Sequence, residues 1–561
     1  MKIAPFAALA AALSLLGLAQ AADTPPAPNA AAAALPPAST LPFSEEFMTA
    51  RDGVKLAANV YKPQGSGPWP VIVERTPYLK DGRMSFVAAR YVKAGYVFVM
   101  QDVRGKGHSE GHYIAFANDI DDGYDTVEWI AKQNWSNGNI GMSGGSAMGI
   151  TTNMAAIAAP PHLKAAYVIV APGDMSVGTF INGAYKDKDN GGWLKMQGVS
   201  DEVIAAGRAR ATRNELAERN NIAPGLQYVR IPMYNVGGWY DIFEQGNIDN
   251  FVYLQNRGAT GARGNQKLAL GPFGHGPLSG GLSYPGRDNL FAMLASGDEE
   301  IRWFDYWLKG TQNGIMDEPP VSYFMMGPAE KGAVSELNRL LHAANWPVAH
   351  RDVRYYLTGA RELSTAMPSA PAAKLSYRFD PAKPAPTVGG ANLTFDRGPM
   401  DQRIVGQRAD YIRFATPVLD KDVVVTGRVS LDLYAATDGP DTDFDAKLVD
   451  VYPDGYEALV LEAPMRARYR NGSLPDDIKM MTPGAPEKLT IDLWSTALTF
   501  AKGHRIALHI TSSNSPRFDV NPNNGDLPGL GTAKPRVATN TIYFDKDHPS
   551  ALVLPIVYPE Q

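Results

Sequence analysis

The chain has 561 residues, 45% of them hydrophobic and 20% charged, which predicts two or three globular domains with buried cores. The formal net charge is −5 at pH 7 and no Lys/Arg cluster stands out, so neither nucleic acid nor an anionic membrane is an expected partner. The chain contains no cysteine, which excludes disulfides, thiol catalysis and thiolate metal sites.

The N-terminus has the pattern of a secretory signal peptide. A charge at Lys2 precedes a mostly apolar stretch over residues 4–18, and the small residues Ala19 and Ala21 provide a cleavage site. We therefore expect residues 1–21 to be removed and the protein to be periplasmic or secreted. An uncleaved membrane anchor is the alternative, disfavoured by the short apolar core. Residues 22–42 are rich in Ala and Pro and are predicted to form a disordered linker.

Two different sequence patterns follow the linker. Short apolar runs alternate with helical patterns, which predicts a doubly wound α/β sheet over residues 43–173 and 231–346. Between these two ranges, residues 174–230 do not continue the alternation of strand and helix patterns. A polar helical pattern over residues 201–220 predicts a helical cap above the sheet. Residues 347–561 show period-two alternation with Pro and Gly turns, which predicts an antiparallel jelly-roll β-sandwich. The apolar runs of the sheet lie at residues 70–73, 96–100, 140–142, 166–170, 233–236 and 268–270, and the helical patterns at 124–133, 147–159 and 299–308.

Residues 139–149 place two serines among small residues where a short strand meets a helix, which is typical of a nucleophile elbow. Ser143 fits the pattern G-x-S-x-G literally. Ser146 is nevertheless preferred as the nucleophile, because a helix can begin directly after it, whereas two glycines that resist helix follow Ser143. The backbone N–H of Ala147 then faces the developing oxyanion.

The chain order serine, acid, histidine of a catalytic triad indicates where the partners of Ser146 should lie in the sequence. The strand over residues 233–236 runs into Gly237-Gly238-Trp239-Tyr240-Asp241, and the strand over 268–270 runs into a glycine-rich turn with His275. Of nine histidines, His275 alone follows both Ser146 and Asp241 at a strand end of the sheet domain. We therefore predict that His275 is the general base and that Asp241 orients it. A second oxyanion donor is expected from residues 74–78, after an earlier strand.

These residues resemble the cocaine esterase, α-amino acid ester hydrolase and X-prolyl dipeptidyl peptidase family of α/β-hydrolase serine hydrolases. The resemblance covers nearly the whole mature chain and implies that Ser146, Asp241 and His275 form the triad, with the Tyr78 hydroxyl joining the Ala147 N–H in the oxyanion hole. Asp102 and Arg104 are interpreted as a structural ion pair. The motifs are Arg75-Thr76-Pro77-Tyr78, Gln101-Asp102-Val103-Arg104-Gly105, Ser109-Glu110-Gly111, Gly138-Asn139-Ile140-Gly141-Met142, Gly238-Trp239-Tyr240-Asp241, Gly271-Pro272 and, in the sandwich, residues 447–455.

One departure from the pattern of the family concerns residues that would recognise the substrate. Many family members have Tyr after the nucleophile, and those that select α-amino acyl groups use acidic side chains, whereas Ala147 and Met148 follow Ser146 here. An uncharged acyl group is therefore expected, with Trp239, Tyr240 and Phe273 as apolar pocket walls or, equally, as ordinary core aromatics.

The predicted function is ester hydrolysis through an acyl-enzyme on a small-molecule substrate. The alternatives are an amide-cleaving relative, either a β-lactam acylase or a dipeptidyl peptidase, and an inactive carbohydrate-binding protein. Neither a metal nor an organic cofactor is expected, and association into a homo-oligomer stays open.

Overall fold

The computed structural model describes residues 41–82, 87–208, 223–282, 284, 297–329 and 335–558. The predicted signal peptide and nearly all of the predicted linker lie outside these residues. In the described part of the chain, no helix combines the length and the apolarity needed to cross a membrane.

A ten-stranded sheet forms the first unit, in the order β1-β2-β4-β3-β5-β6-β9-β10-β11-β12. The strands from β4 to β11 in that order are all parallel, and antiparallel β1, β2 and β12 complete the two edges. All six predicted strands are present, most of them longer than their apolar cores. The bounds are β1 Phe43–Thr49, β2 Lys55–Tyr61, β3 Trp69–Thr76, β4 Val97–Asp102, β5 Ser136–Gly145, β6 Leu163–Ile169, β9 Met233–Tyr240, β10 Lys267–Gly274, β11 Val321–Met325 and β12 Arg339–Ala343.

Helices cover both faces of this sheet, so every residue of the central strands β4, β9 and β10 is buried. All eleven residues of α3 are buried as well, since this helix packs between the sheet and α2. The helices are α1 Ala88–Lys93, α2 Asp119–Ala131, α3 Ala147–Ile157, α4 Met175–Thr179, α5 Gly192–Met196, α6 Asp201–Arg208, α7 Glu244–Arg257 and α8 Asp298–Lys309.

The order of the strands creates a switch point between β3 and β5. From β3 the chain steps outward to β4, and from β5 it steps in the opposite direction through β6, β9 and β10. In such sheets ligands bind outside the carboxyl ends of the strands beside the switch point. The loops that follow β3, β5, β9 and β10 therefore meet at one edge.

The described residues of the segment over 174–230, which leave out 209–222, lie at this edge and are not purely helical. Alongside α4, α5 and α6 the segment contains a two-stranded hairpin, β7 Phe180–Ile181 with β8 Ala184–Tyr185, followed by a π-helical turn at Asp187–Gly191. The predicted polar helix begins at Asp201 and is described to Arg208, and the remainder of that prediction lies outside the described residues.

The C-terminal unit consists of two antiparallel sheets, as predicted. One sheet has seven strands and the other has four, ordered β16-β21-β18-β19. Apolar side chains from both sheets, such as Leu431 and Leu508, share one core that continues into Trp239 and Tyr240 of the first unit. The strands are β13 Arg351–Leu357, β14 Leu363–Ser364, β15 Lys374–Phe379, β16 Ile412–Ala415, β17 Val423–Thr437, β18 Asp443–Val451, β19 Glu457–Arg466, β20 Glu487–Phe500, β21 Arg505–Thr511, β22 Ala538–Tyr543 and β23 Ala551–Ile556.

Candidate active site

Ser146 occupies the turn between β5 and α3, with φ 56° and ψ −124°. This left-handed backbone costs a non-glycine residue about 1–3 kcal/mol and is kept where the surrounding structure enforces it. Small neighbours allow the tight turn, because a Cβ on Gly144 would lie 2.5 Å from that of Met148, and one on Gly149 would lie 2.6 Å from that of Ala171. The sharp turn predicted at Ser146 is therefore present.

Ser143, the literal motif match, lies inside strand β5 rather than at the turn. Its side chain is buried, and its hydroxyl donates to Glu300 Oε1. The same carboxylate oxygen accepts from the Tyr91 hydroxyl at 2.5 Å. Ser143 is thus part of a buried polar network beneath the sheet edge.

The Ser146 side chain forms a hydrogen-bonded row with His275 and Asp241. Ser146 Oγ lies 2.8 Å from His275 Nε2, and His275 Nδ1 lies 2.7 Å from Asp241 Oδ2. Asp241 follows the last residue of β9 and His275 follows the last residue of β10, which are adjacent parallel strands. Since both side chains have no exposed surface, the carboxylate can fix the imidazole tautomer with no competition from bulk water.

Two contacts fix the loop that carries Asp241. The other carboxylate oxygen, Oδ1, accepts from the backbone N–H of Phe243 at 2.7 Å, and the Phe243 ring packs edge-on against His275. The ammonium of fully buried Lys186 donates to the carbonyl oxygens of Ile242, at 2.7 Å, and of Val177 in the cap, at 2.8 Å. Burial lowers the pKa of Lys186 to about 7.

Two donors point toward the position of an oxyanion. Ala147 is the first residue of α3, so its N–H has no acceptor within the helix. The Tyr78 side chain, two residues beyond β3, lies next to Ser146. Burial raises the pKa of Tyr78 to about 12, so the hydroxyl keeps its proton at neutral pH. The arrangement can stabilise negative charge next to Ser146 Oγ.

The three aromatic residues suggested as pocket walls lie in the core. Trp239 donates its indole N–H to the Phe324 carbonyl oxygen at 2.8 Å, and Tyr240 donates to that of Leu459 at 3.1 Å. Phe273 packs in the cluster beneath the sheet with Tyr96 and Tyr167. Of the two interpretations, the structure therefore supports ordinary core aromatics, and none of the three lines the cavity described below.

Asp102 and Arg104 do not form the predicted ion pair. Asp102 accepts from the backbone N–H groups of Lys80, at 2.6 Å, and of His108, at 3.2 Å. Arg104 instead binds Asp122 at 2.6 Å and Asp52 at 2.7 Å. Both residues still shape the loop after β4, but through separate partners.

Sequence reasoning missed Trp193, whose indole N–H donates to the Tyr78 hydroxyl oxygen at 3.0 Å. Lys186 and Phe243 were missed as well. Trp193 and Lys186 belong to the cap, and no apolar periodicity typical of a strand or a helix marks these two positions in the sequence. The only available signal for Phe243 was its place two residues after Asp241.

A cavity of about 960 Å³ opens beside this site, where the loop after β4, the cap and the sandwich meet. Phe116 and Trp193 line it and stack with their ring centroids 5.6 Å apart. Because Trp193 also contacts Tyr78, the cavity is next to the oxyanion donors.

Among the described residues, Glu45, Asp81 and His108 bring carboxylate and imidazole atoms within the reach of one metal ion. All three are exposed, and the ammonium of Lys80 already lies 2.7 Å from Glu45 and 2.8 Å from Asp81. These contacts are those of a surface ion-pair cluster, and we assign no metal to it.

The fold and the Ser-His-Asp geometry define the class of protein as an α/β-hydrolase with an appended β-sandwich. Residues 52–215 match the family described as X-Pro dipeptidyl-peptidase (S15 family), and residues 313–553 match the X-Pro dipeptidyl-peptidase C-terminal non-catalytic domain. The cocaine esterase of Rhodococcus sp. (strain MB1 Bresler) is 29% identical over 92% of this chain and 98% of its own length.

Two solved structures extend the comparison. An α-amino acid ester hydrolase is 25% identical with a TM-score of 0.77, covering 96% of this chain and 100% of that chain. An aminopeptidase from a marine sediment Thaumarchaeota archaeon has the same fold, with 23% identity and a TM-score of 0.78 over 96% of this chain and 99% of that chain. Over nearly its whole described length the chain is thus similar to serine hydrolases of the cocaine esterase, α-amino acid ester hydrolase and X-prolyl dipeptidyl peptidase group.

Proposed function

We propose that the protein is an exported carboxylic ester hydrolase that works through an acyl-enzyme on Ser146. The observation that carries this proposal is the hydrogen-bonded row from Ser146 through His275 to Asp241, with Tyr78 beside the serine. A relative named for ester cleavage aligns with 92% of the chain, which agrees with this chemistry.

The proposed reaction has two steps. Ser146 Oγ attacks the ester carbonyl carbon while His275 Nε2 takes its proton, and the Tyr78 hydroxyl and the Ala147 N–H stabilise the oxyanion. The carbon–oxygen bond to the alcohol then breaks, and His275 returns the proton to the leaving oxygen. Water, deprotonated by His275, then attacks the acyl carbon; the bond to Ser146 Oγ breaks, His275 returns the proton to Oγ, and the acid is released.

The charges around the cavity favour an uncharged acyl group over an α-amino acyl group. The only acidic residue that lines it among the described residues is Asp492, which Arg428 binds through Nε at 3.0 Å to each carboxylate oxygen. A substrate ammonium group would therefore find no unpaired carboxylate in the described part of the lining. Amide cleavage remains the second candidate, since one matched family is described as a dipeptidyl-peptidase.

The experiment compares ester and amide turnover by the purified mature enzyme. We expect hydrolysis of neutral 4-nitrophenyl esters, little hydrolysis of Xaa-Pro anilides, and loss of both activities in Ser146→Ala. Faster turnover of the anilides would favour the dipeptidyl peptidase. Glycan binding with no Ser146-dependent turnover of either substrate would favour the carbohydrate-binding alternative.

Export is supported by the charged, apolar and small-residue segments of residues 1–21. The test is the intact mass of the protein recovered from the periplasm or the medium. A mature chain that begins near Ala22 supports export, and a full-length cell-bound protein contradicts it.

A further inference from the structure

The cavity that Trp193 lines, and that Trp193 links to Tyr78, has an uneven distribution of charge. Its volume of about 960 Å³ is at the upper end for small-ligand sites, and aromatic rings supply much of its wall. They come from the loop after β4, the cap and the sandwich: Tyr113, Phe116, Phe180, Trp193, Tyr469 and Trp494.

Lys106 is a cation in the lining of this cavity. Its ammonium donates to the carbonyl oxygen of Gln197 at 2.9 Å and lies 4.2 Å from the centre of the Tyr113 ring. Within the described ranges, no carboxylate lies within ion-pair distance of it, so its charge is balanced only by a carbonyl dipole and a ring face. Burial lowers the pKa of Lys106, in keeping with this incomplete compensation.

The lining also contains a compensated pair. Arg428 binds Asp492 through its guanidinium and also lies 3.4 Å from Asp249, which is outside the lining. In its described lining, the cavity therefore presents an apolar body with one positive charge, on Lys106, that no carboxylate pairs. A concave site with low-dielectric walls and one sign of charge attracts ligands of the opposite charge.

Resting on the function proposed above, we infer that the preferred substrates are esters whose larger part is an aromatic or branched apolar group that carries a carboxylate far from the scissile bond. The apolar group packs against Phe116 and Trp193, and Lys106 binds the carboxylate. The carboxylate can belong to the acyl part or to the alcohol part, because either can extend from Ser146 along Trp193.

Two matched sets of esters distinguish a carboxylate in the acyl part from a carboxylate in the alcohol part. The acyl set consists of ethyl phenylacetates with a para carboxylate, methyl or trimethylammonium group, and the alcohol set consists of benzyl acetates with the same three groups. In one set we expect kcat/KM for the carboxylate ester to exceed that for the methyl ester at least tenfold, mainly through KM. The trimethylammonium ester should be the poorest substrate.

Variants assign the preference to Lys106. Lys106→Met should reduce the carboxylate-to-methyl ratio to within about twofold of one, a loss of about 1.4 kcal/mol for each tenfold change, and Lys106→Arg should retain the preference. Lys195→Met is the matched control, since Lys195 is a surface lysine paired with Asp201 at 2.9 Å. Equal rates for carboxylate and methyl esters in both sets, or a preference that survives Lys106→Met, would overturn the inference.

A binding measurement separates failure of this inference from failure of the proposed function. Calorimetry on Ser146→Ala should show 4-carboxyphenylacetate or 4-carboxybenzyl alcohol, the products of the two sets, binding at least tenfold more weakly when Lys106→Met is added. Ser146-dependent hydrolysis of the methyl esters without any carboxylate preference refutes the inference alone. Absence of all ester hydrolysis refutes the proposed function, and the calorimetry then still decides whether Lys106 holds a carboxylate.

Discussion

The indole N–H of Trp193 donates to the hydroxyl oxygen of Tyr78 at 3.0 Å. Because this bond uses the oxygen of Tyr78 as an acceptor, the hydroxyl proton stays available for an acceptor next to Ser146. The cap thereby orients a group that the sheet positions. Stacking on Phe116 holds the Trp193 ring in place.

Replacing Trp193 with Phe should lower kcat by about tenfold, the cost of one hydrogen bond of about 1.4 kcal/mol in the transition state. Tyr78→Phe should cost more, on the order of 10²–10³, because it removes the oxyanion donor itself. Steady-state kinetics on the two single variants and the double variant checks both values. We expect the Trp193→Phe effect to vanish in the Tyr78→Phe background, and additive effects would contradict the link.

Ser143→Ala should retain kcat while losing about 1 kcal/mol of folding stability. The substitution removes a buried hydrogen bond to Glu300, which keeps its bonds from Tyr91 and Arg90. Esterase assays and urea midpoints measure the two quantities. A loss of kcat comparable to that of Ser146→Ala would mean that Ser143 takes part in the reaction.

The buried ammonium of Lys186 should make folding stability rise with pH above neutrality. Its pKa is about 7 in the folded protein, compared with 10.5 in the unfolded chain. Between these values the unfolded chain binds the extra proton, so the free energy of unfolding rises by about 1.4 kcal/mol per pH unit. Urea unfolding of wild type and Lys186→Met from pH 6 to pH 9 should show this rise in the wild type minus variant difference. A difference that is independent of pH would argue against it.

The buried carboxyl group of Glu74 should have the opposite effect to Lys186 and make folding stability fall as the pH rises. Burial, with Glu300 nearby, raises its pKa from 4.5 to about 8, so the folded protein keeps a proton that the unfolded chain loses. Wild-type stability should therefore fall across this window relative to Glu74→Gln, which should be the more stable protein above pH 8. The same unfolding series, extended to pH 5, provides the test, and parallel curves for the two proteins would refute it.

The sequence predicted the sheet and the row of three side chains because both follow from chain order. Parallel strands end at one edge, so residues directly after β5, β9 and β10 are brought together wherever the strands are adjacent or nearly so. Chain order does not predict contacts that depend on how distant segments pack against one another. Trp239 illustrates the limit, since the sequence placed it just beyond a strand over residues 233–236, whereas it lies within β9 and packs in the core shared with the sandwich.

The cap shows a second kind of limit. Lys186 and Trp193 act through a backbone carbonyl and a hydroxyl that belong to distant segments, and no spacing in the chain encodes those distances. Arg104 shows the same effect on a smaller scale, because the chain after β4 turns it away from Asp102 and toward Asp52 and Asp122.

Fluorophosphonate labelling followed by intact mass and peptide mapping tests the central claim, that Ser146 is the nucleophile activated by His275. Wild type and Ser143→Ala should each gain one label, located on Ser146, whereas Ser146→Ala should gain none and His275→Ala should label far more slowly. A label on Ser143, or no label on wild-type protein that is shown to be folded, would contradict the account.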